Sequence, residues 1–186
     1  QEKLSWLNGT WLRGLDDDAF AERVRAWLTD ADRLAALVPL VKARTERFSD
    51  LVGMTDYLLG EPAPAAAETW AATGLDNEAL LELLQFVSWR LDGLEDWSRD
   101  ALVDALTSLA GELDMKIRAL LAPLFVALSG RTVSLPLYDS MVILGPELTR
   151  ARLRNALETL GGVSKKQMKR LEKRYRELGR PAEDAQ

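Results

Sequence analysis

Apolar residues recur at three- and four-residue intervals along almost the whole chain, and no segment sustains the two-residue alternation of a half-buried strand. A stripe of that period is buried only by laying helix on helix, so the expected fold is all-α, a bundle of helices in two parts. Local punctuation sets the boundaries. Leu4 to Leu12 reads as a first helical piece, and Asp16, Asp17 and Asp18 supply an N-cap and first-turn acids for a helix through Leu28. Asp30 begins a further start. Pro39 has no amide hydrogen and should mark a kink or restart, with a helix running on from there to about Val52. Gly60, Pro62 and Pro64 then break the pattern, and the Ala- and Pro-rich stretch from Glu61 to Gly74 reads as a linker or long irregular connection.

Asp76 caps a helix carrying Leu80, Leu81, Leu84 and Val87, and Ser98 caps another carrying Leu102, Leu106 and Leu109. Met115 to Ser129 stops at Gly130, and the irregular string Arg131 to Pro136 follows. A short helix from Pro136 ends at Gly145, and Pro146 suits the first turn of another that runs to Leu160 before Gly161-Gly162. Ser164 and Gln167 have the spacing of a capping box for a last helix, ending at Gly179 with Pro181 beyond. No internal repeat is present.

Composition narrows the chemistry. Cysteine and histidine are both absent, which excludes thiol nucleophiles, disulfides, thiolate zinc sites and imidazole bases or ligands. No Gly-rich phosphate loop occurs, and the carboxylate runs Asp16 to Asp18, Glu95-Asp96 and Glu112-Asp114 fall where helices start or end, so capping accounts for them. An active site within these residues is not expected, nor a metal or cofactor. No apolar run reaches the roughly 20 residues that span a bilayer, and no leader pattern is visible, so a soluble, cytoplasmic protein is expected. Starting at Gln1, the chain reads as a processed or excised piece of a longer one. Most of the six tryptophans lie among apolar neighbours, and core anchors are the favoured reading over base-stacking surfaces.

The net charge of −5 hides a division, because residues 1–160 carry −9 and residues 161–186 carry +4. An acidic body argues against indiscriminate polyanion binding, so any nucleic-acid contact must be local. In the helix expected after Pro39, Leu37, Leu40, Val41, Phe48 and Leu51 define an apolar stripe. Arg44 falls near its middle, where the bland expectation is an ion pair with an acid of a neighbouring helix. Arg47 falls at its edge, where a guanidinium lies against the body and still presents donors outward. The Ser129 to Ser134 segment adds hydroxyls, amides and Arg131, which suits hydrogen bonding to splayed single-stranded bases, although a tight interhelical loop would look the same.

Several strings together resemble the C-terminal half of bacterial glutamyl-tRNA synthetases. They are Lys3-Leu-Ser-Trp-Leu-Asn-Gly9, Leu37-Val-Pro-Leu-Val-Lys-Ala-Arg44, Asp96-Trp-Ser98, Pro123-Leu124, Ala127-Leu-Ser-Gly-Arg-Thr-Val-Ser-Leu-Pro-Leu137, and Leu144-Gly145 followed by Ala151-Arg-Leu-Arg-Asn-Ala-Leu157. The resemblance implies a stem-contact remnant over 1–15, helical anticodon-binding subdomains over 16–74 and 75–160, and a basic extension over 161–186. It implies a glutamate-accepting tRNA as partner, no DNA or membrane, a monomer, and a parent enzyme that attaches glutamate to tRNA with ATP and magnesium through residues outside this chain. Arg47 aligns with an arginine that in one branch favours C over U at the first anticodon base. The loop with Arg131, Thr132, Ser134, Leu135 and Leu137 aligns with the segment around the second and third bases, and Lys42 and Lys116 are candidate backbone contacts. Two departures stand out. Phe125 occupies a place where the family usually carries an arginine, and Ser134-Leu-Pro-Leu137 replaces the frequent Ser-Pro-Pro-Leu. A helical protein-interaction scaffold without RNA readout is the alternative function, and a parent serving a glutamine tRNA or another RNA is a third. In the tail, Met168, Leu171, Tyr175 and Leu178 form an apolar stripe among seven basic residues, and docking of that stripe with a solvated basic face is favoured over RNA contact.

Overall fold

A computed structural model describes residues 2–28 and 30–178, with side chains from Trp6 onward apart from position 28. Among the described residues every regular element is helical and there is no strand. The helices are α1 (Glu2–Arg13), α2 (Asp17–Leu28), α3 (Ala31–Val41), α4 (Asp50–Leu59), α5 (Ala67–Ala71), α6 (Asn77–Asp92), α7 (Arg99–Glu112), α8 (Ile117–Ser129), α9 (Leu137–Thr159) and α10 (Lys165–Glu177). The chain divides into two compact units, Gln1–Ala43 and Arg44–Gln186.

The first unit holds α1 to α3. Asp16 Oδ1 accepts from the Ala19 amide at 2.8 Å and Asp30 Oδ1 from the Arg33 amide at 2.9 Å, so the capping acids work as their positions imply. Here the tryptophan expectation fails: Trp6, Trp11 and Trp27 are all exposed, with the Arg23 guanidinium 5.3 Å from the Trp11 ring centre. Three short helices have too little volume to enclose large indoles, and among the described residues of this unit only Leu37 and Val41 are buried. The tryptophans that do join a core are Trp70, Trp89 and Trp97, all in the second unit.

The helix expected from Pro39 to Val52 is not formed. Pro39 sits inside α3 near its end, a 3-10 turn spans Lys42–Arg44, and irregular backbone leads to α4 at Asp50. The Asp50 carboxylate is the cause, since its Oδ2 accepts from the amides of Glu46 at 3.2 Å and Arg47 at 2.8 Å. A continuous helix would send those amides to carbonyls a turn earlier, so the side-chain acceptor competes directly with helix propagation.

In the second unit α8 and α9 pack most extensively on each other. The helices α6 and α7 pack against both and against one another, α4 lies on α8 and α9, α5 on α8, and α10 on α6. Phe86, Leu91, Leu102, Leu106, Leu120, Leu124, Met141 and Leu153 are fully buried between them. Asp76 and Ser98 cap α6 and α7, and Ser164 and Gln167 form the full capping box of α10. Gly145, at φ 73° and ψ 172°, breaks α9 into the two expected segments, a conformation closed to residues with a Cβ. The Ala- and Pro-rich connection is strapped onto the core by Ala65 and the buried Trp70. The apolar stripe of α10 docks as expected, with Leu171 buried and the Tyr175 ring 5.3 Å from Phe86 and 5.2 Å from Trp89. The expected stop at Gly179 and Pro181 lies outside the described residues.

Candidate nucleic-acid interface

The start of α4 and the connection between α8 and α9 form one seam in the second unit. Once Asp50 has taken the amides of Glu46 and Arg47, the chain turns at Phe48 and Ser49, and the side chains of Arg47, Phe48 and Val52 face solvent. Phe48 is 89% exposed, so it belongs to no apolar stripe; its expected burial depended on a helix that Asp50 interrupts. An aromatic ring left that open is unusual for an interior-seeking residue.

Arg131 brings the α8–α9 connection onto α4. Its Nη1 donates to the Gly53 carbonyl at 2.6 Å and its Nη2 pairs with the Asp56 carboxylate. The pair is close to half exposed on both sides, so its energetic weight is modest, and its effect is to set where the loop lies. These bonds use Nη1 and Nη2, and the side chain remains 44% exposed. Behind it, Ser129 Oγ donates to the Phe125 carbonyl at 2.7 Å, and a buried Tyr57–Ser140 hydroxyl pair at 2.7 Å links α4 to α9. Gly130, at φ 71°, ends α8 in the left-handed region and lets the chain turn outward.

The expected site residues therefore fall into distinct groups. Arg47, Arg131 and Thr132 are exposed along this seam, and Ser134 is half-buried with its Oγ donating to the Leu135 carbonyl at 3.2 Å. Leu135 and Leu137 are only 3% and 4% exposed; their side chains fill the core and fix the loop ends. Lys116 opens α8, about 20 Å along the helix from Gly130, so it lies apart from the seam. Lys42 is exposed in the first unit. Arg44 is exposed at the end of its 3-10 turn, which corrects the expected place in the middle of a buried stripe: with the helix broken, its position on the wheel loses its meaning.

The buried guanidinium is Arg152 instead, 3% exposed on α9. Its Nη1 donates to the Leu128 carbonyl at 2.6 Å, and its Nη2 to the carbonyls of Tyr57 at 2.5 Å and Gly60 at 2.9 Å. Burial pushes its pKa down, opposed by the field of Glu61. It holds the C-terminal ends of α4 and α8 together, the two helices whose other features build the seam. The spacing Thr149, Arg152, Leu153, Ala156, Leu157 places it on the buried face of α9, a signal present in the sequence. Phe48 had a signal too, because Ser49-Asp50 is a helix-start pair.

Among the described residues no group of three or more acidic, histidine or cysteine side chains could hold a metal ion, and no helix is long and apolar enough to cross a membrane.

An anticodon-binding-domain family model matches residues 19–157. Glutamate–tRNA ligase of Saccharophagus degradans is 43% identical over 185 residues, covering 99% of this chain and 37% of that protein. The Marinomonas enzyme of the same description is 41% identical over 178 residues, covering 95% and 36%. The chain thus spans little more than a third of these relatives. The crystal structure of a glutamate–tRNA ligase from Elizabethkingia meningosepticum in complex with its amino acid superposes with a TM-score of 0.66 at 20% identity, covering 86% of this chain and 32% of that one, which shows a shared fold. With the family model extending over most of the helical body, the chain belongs to the anticodon-binding-domain family and matches the part of glutamate–tRNA ligases that carries it.

Proposed function

We propose that this chain recognises the anticodon arm of a glutamate-accepting tRNA, as the anticodon-binding module of a ligase that attaches glutamate to that tRNA with ATP. The observation that carries this reading is the seam, where Arg131 pins a hydroxyl-bearing loop onto α4 beside the exposed Arg47 and Phe48. Cationic donors beside an open aromatic face are what splayed RNA bases require, since their edges need hydrogen-bond partners and their faces need a stacking surface.

In this reading Arg47 donates to the edge of the first anticodon base and favours C over U. Arg131, Thr132 and Ser134 serve the second and third bases, and Leu135 and Leu137 hold the loop that carries them. Lys42 and Lys116 touch phosphates. The residues described here do not fit magnesium, for want of an acidic cluster, and ATP chemistry belongs to parts of the ligase outside this chain. The module acts as a cytoplasmic monomer with no DNA or membrane partner.

Arg47→Gln tests the assignment. Losing one good base-edge contact is worth about 1 to 3 kcal/mol on the scale known for duplex DNA. The variant should narrow the preference between anticodon stem-loops beginning with C and with U, at unchanged melting temperature. Equal losses for both stem-loops would demote Arg47 to a phosphate contact or a bystander.

A further inference from the structure

The seam leaves α10 unused. Along this helix Lys166, Lys169, Lys173 and Arg176 follow one another at three- and four-residue steps, so they share about 80° of arc and about 15 Å of axis. Leu171 and Tyr175 lie roughly opposite, packed against the core. The two arginines on the flank are already committed: Arg170 pairs with Glu78, and Arg174 pairs with Glu82 at 2.5 Å, both acids on α6. These pairs, the capping box and the aromatic contacts hold α10 in one place and one rotation.

The outward cations are held far more weakly. Lys173 and Arg176 each reach an acid of their own helix only at 4.0 Å, with both partners largely solvated, and such pairs contribute little. Lys166 and Lys169 are exposed. A rigid cationic ridge on a chain of net charge −5 matches a polyanion with regularly spaced charges better than it matches bulk solvent.

We propose that this ridge receives phosphates of the tRNA backbone outside the anticodon stem-loop. The inference rests on the RNA-binding reading above and adds a second contact to it. Four cations along one line complement a phosphate row, and lysine, a point charge on a flexible stem, grips phosphate without reading base identity. The ridge lies on a helix that packs on α6, whereas α4 packs on α8 and α9, so it engages a different stretch of RNA from the seam. Docking of the apolar stripe and contact with RNA are compatible, because they use opposite faces of α10.

The test uses the whole chain, its variant Lys166→Gln/Lys169→Gln/Lys173→Gln, and the same three positions changed to Arg. Each is titrated across a salt series with a full-length transcript of a glutamate tRNA and with its anticodon stem-loop alone. The Gln variant should keep its melting temperature and lose about tenfold or more in affinity for the full transcript at low salt. Its salt slope should fall by about 2, close to what three lost phosphate contacts remove. Stem-loop binding should change little, and the Arg variant should retain wild-type behaviour. Wild-type binding of both RNAs with an unchanged slope in the Gln variant overturns the ridge and leaves the seam standing. An equal loss for both RNAs in the Gln variant overturns a contact outside the stem-loop, and a wild-type chain that binds neither RNA overturns the ridge and the seam together.

Discussion

Replacing Arg152 by Met removes the one guanidinium that, among the described residues of the second unit, is buried against backbone carbonyls. Three hydrogen bonds disappear, to Leu128 at 2.6 Å, Tyr57 at 2.5 Å and Gly60 at 2.9 Å. Their acceptors belong to the last turns of α8 and α4, where helical carbonyls lack intrahelical donors and a positive charge is favoured. A bond from a charged donor contributes about 1.5 to 3 kcal/mol, so the three together set a gross loss of several kcal/mol. Against this, Met no longer carries the desolvation cost of a buried ion, itself several kcal/mol, and it fills much of the same space. The expected net loss is about 3 kcal/mol, which lowers Tm by about 6 to 12 °C in a chain of this size. Urea unfolding followed by far-UV circular dichroism should show a lower midpoint with an unchanged m-value. Arg131→Met is the control, because its pair with Asp56 is near half exposed; it should cost about 0.5 kcal/mol or less. If Arg152→Met lies within 0.5 kcal/mol of wild type, or Arg131→Met is the more damaging, the carbonyl clamp is not what holds α4 to α8.

A hydrogen bond from Arg90 holds the Glu112 carboxyl below its ordinary value of 4.5, in a pair that joins α6 to α7 and, through the Tyr175 hydroxyl, to α10. A depressed folded pKa adds stability that is fully present above about pH 4.5 and is lost as pH falls through the folded value. Glu112→Gln should therefore cost about 1 kcal/mol at pH 7 and progressively less as the pH is lowered below 4.5, measured as urea midpoints across that range. Phe48→Ala should leave stability within about 0.5 kcal/mol, because the ring is 89% exposed. It should weaken stem-loop binding by about 1 to 3 kcal/mol whatever the first anticodon base, as loss of a stacking surface does; unchanged affinity would leave the ring without a part in RNA binding.

What could be read from the sequence was what local chemistry decides. Asp76, Ser98 and the Ser164–Gln167 box each satisfy amides within three residues, and Gly145 and Gly130 adopt conformations that few other residues accept, so these boundaries fell where expected. The 39–52 region went otherwise because two local signals conflict there. Its apolar spacing favours a continuous helix, whereas Asp50 offers a nearer acceptor to the amides of Glu46 and Arg47. The wheel's placement of Arg44 and Phe48 on a buried face failed with it, whereas Arg47 is exposed and Leu37 and Val41 are buried as the wheel implied. The exposure of Trp6, Trp11 and Trp27 was illegible for another reason: apolar spacing reports which face prefers burial, not whether a neighbour is there to bury it. For the candidate site, the loop and Arg47 were legible by residue type, but the bridge from Arg131 to Gly53 and Asp56 spans more than 70 residues of sequence and emerges only in three dimensions.

The central claim is that the seam between α4 and the α8–α9 connection reads anticodon bases. The most direct test is calorimetric titration of the wild-type chain, at one moderate salt concentration, with the anticodon stem-loop of a glutamate tRNA and with the same stem-loop carrying three substituted anticodon bases. Base-edge contacts of about 1 to 3 kcal/mol each predict at least tenfold tighter binding of the native stem-loop. Equal affinity for the two would contradict base reading and leave only attraction to the RNA backbone.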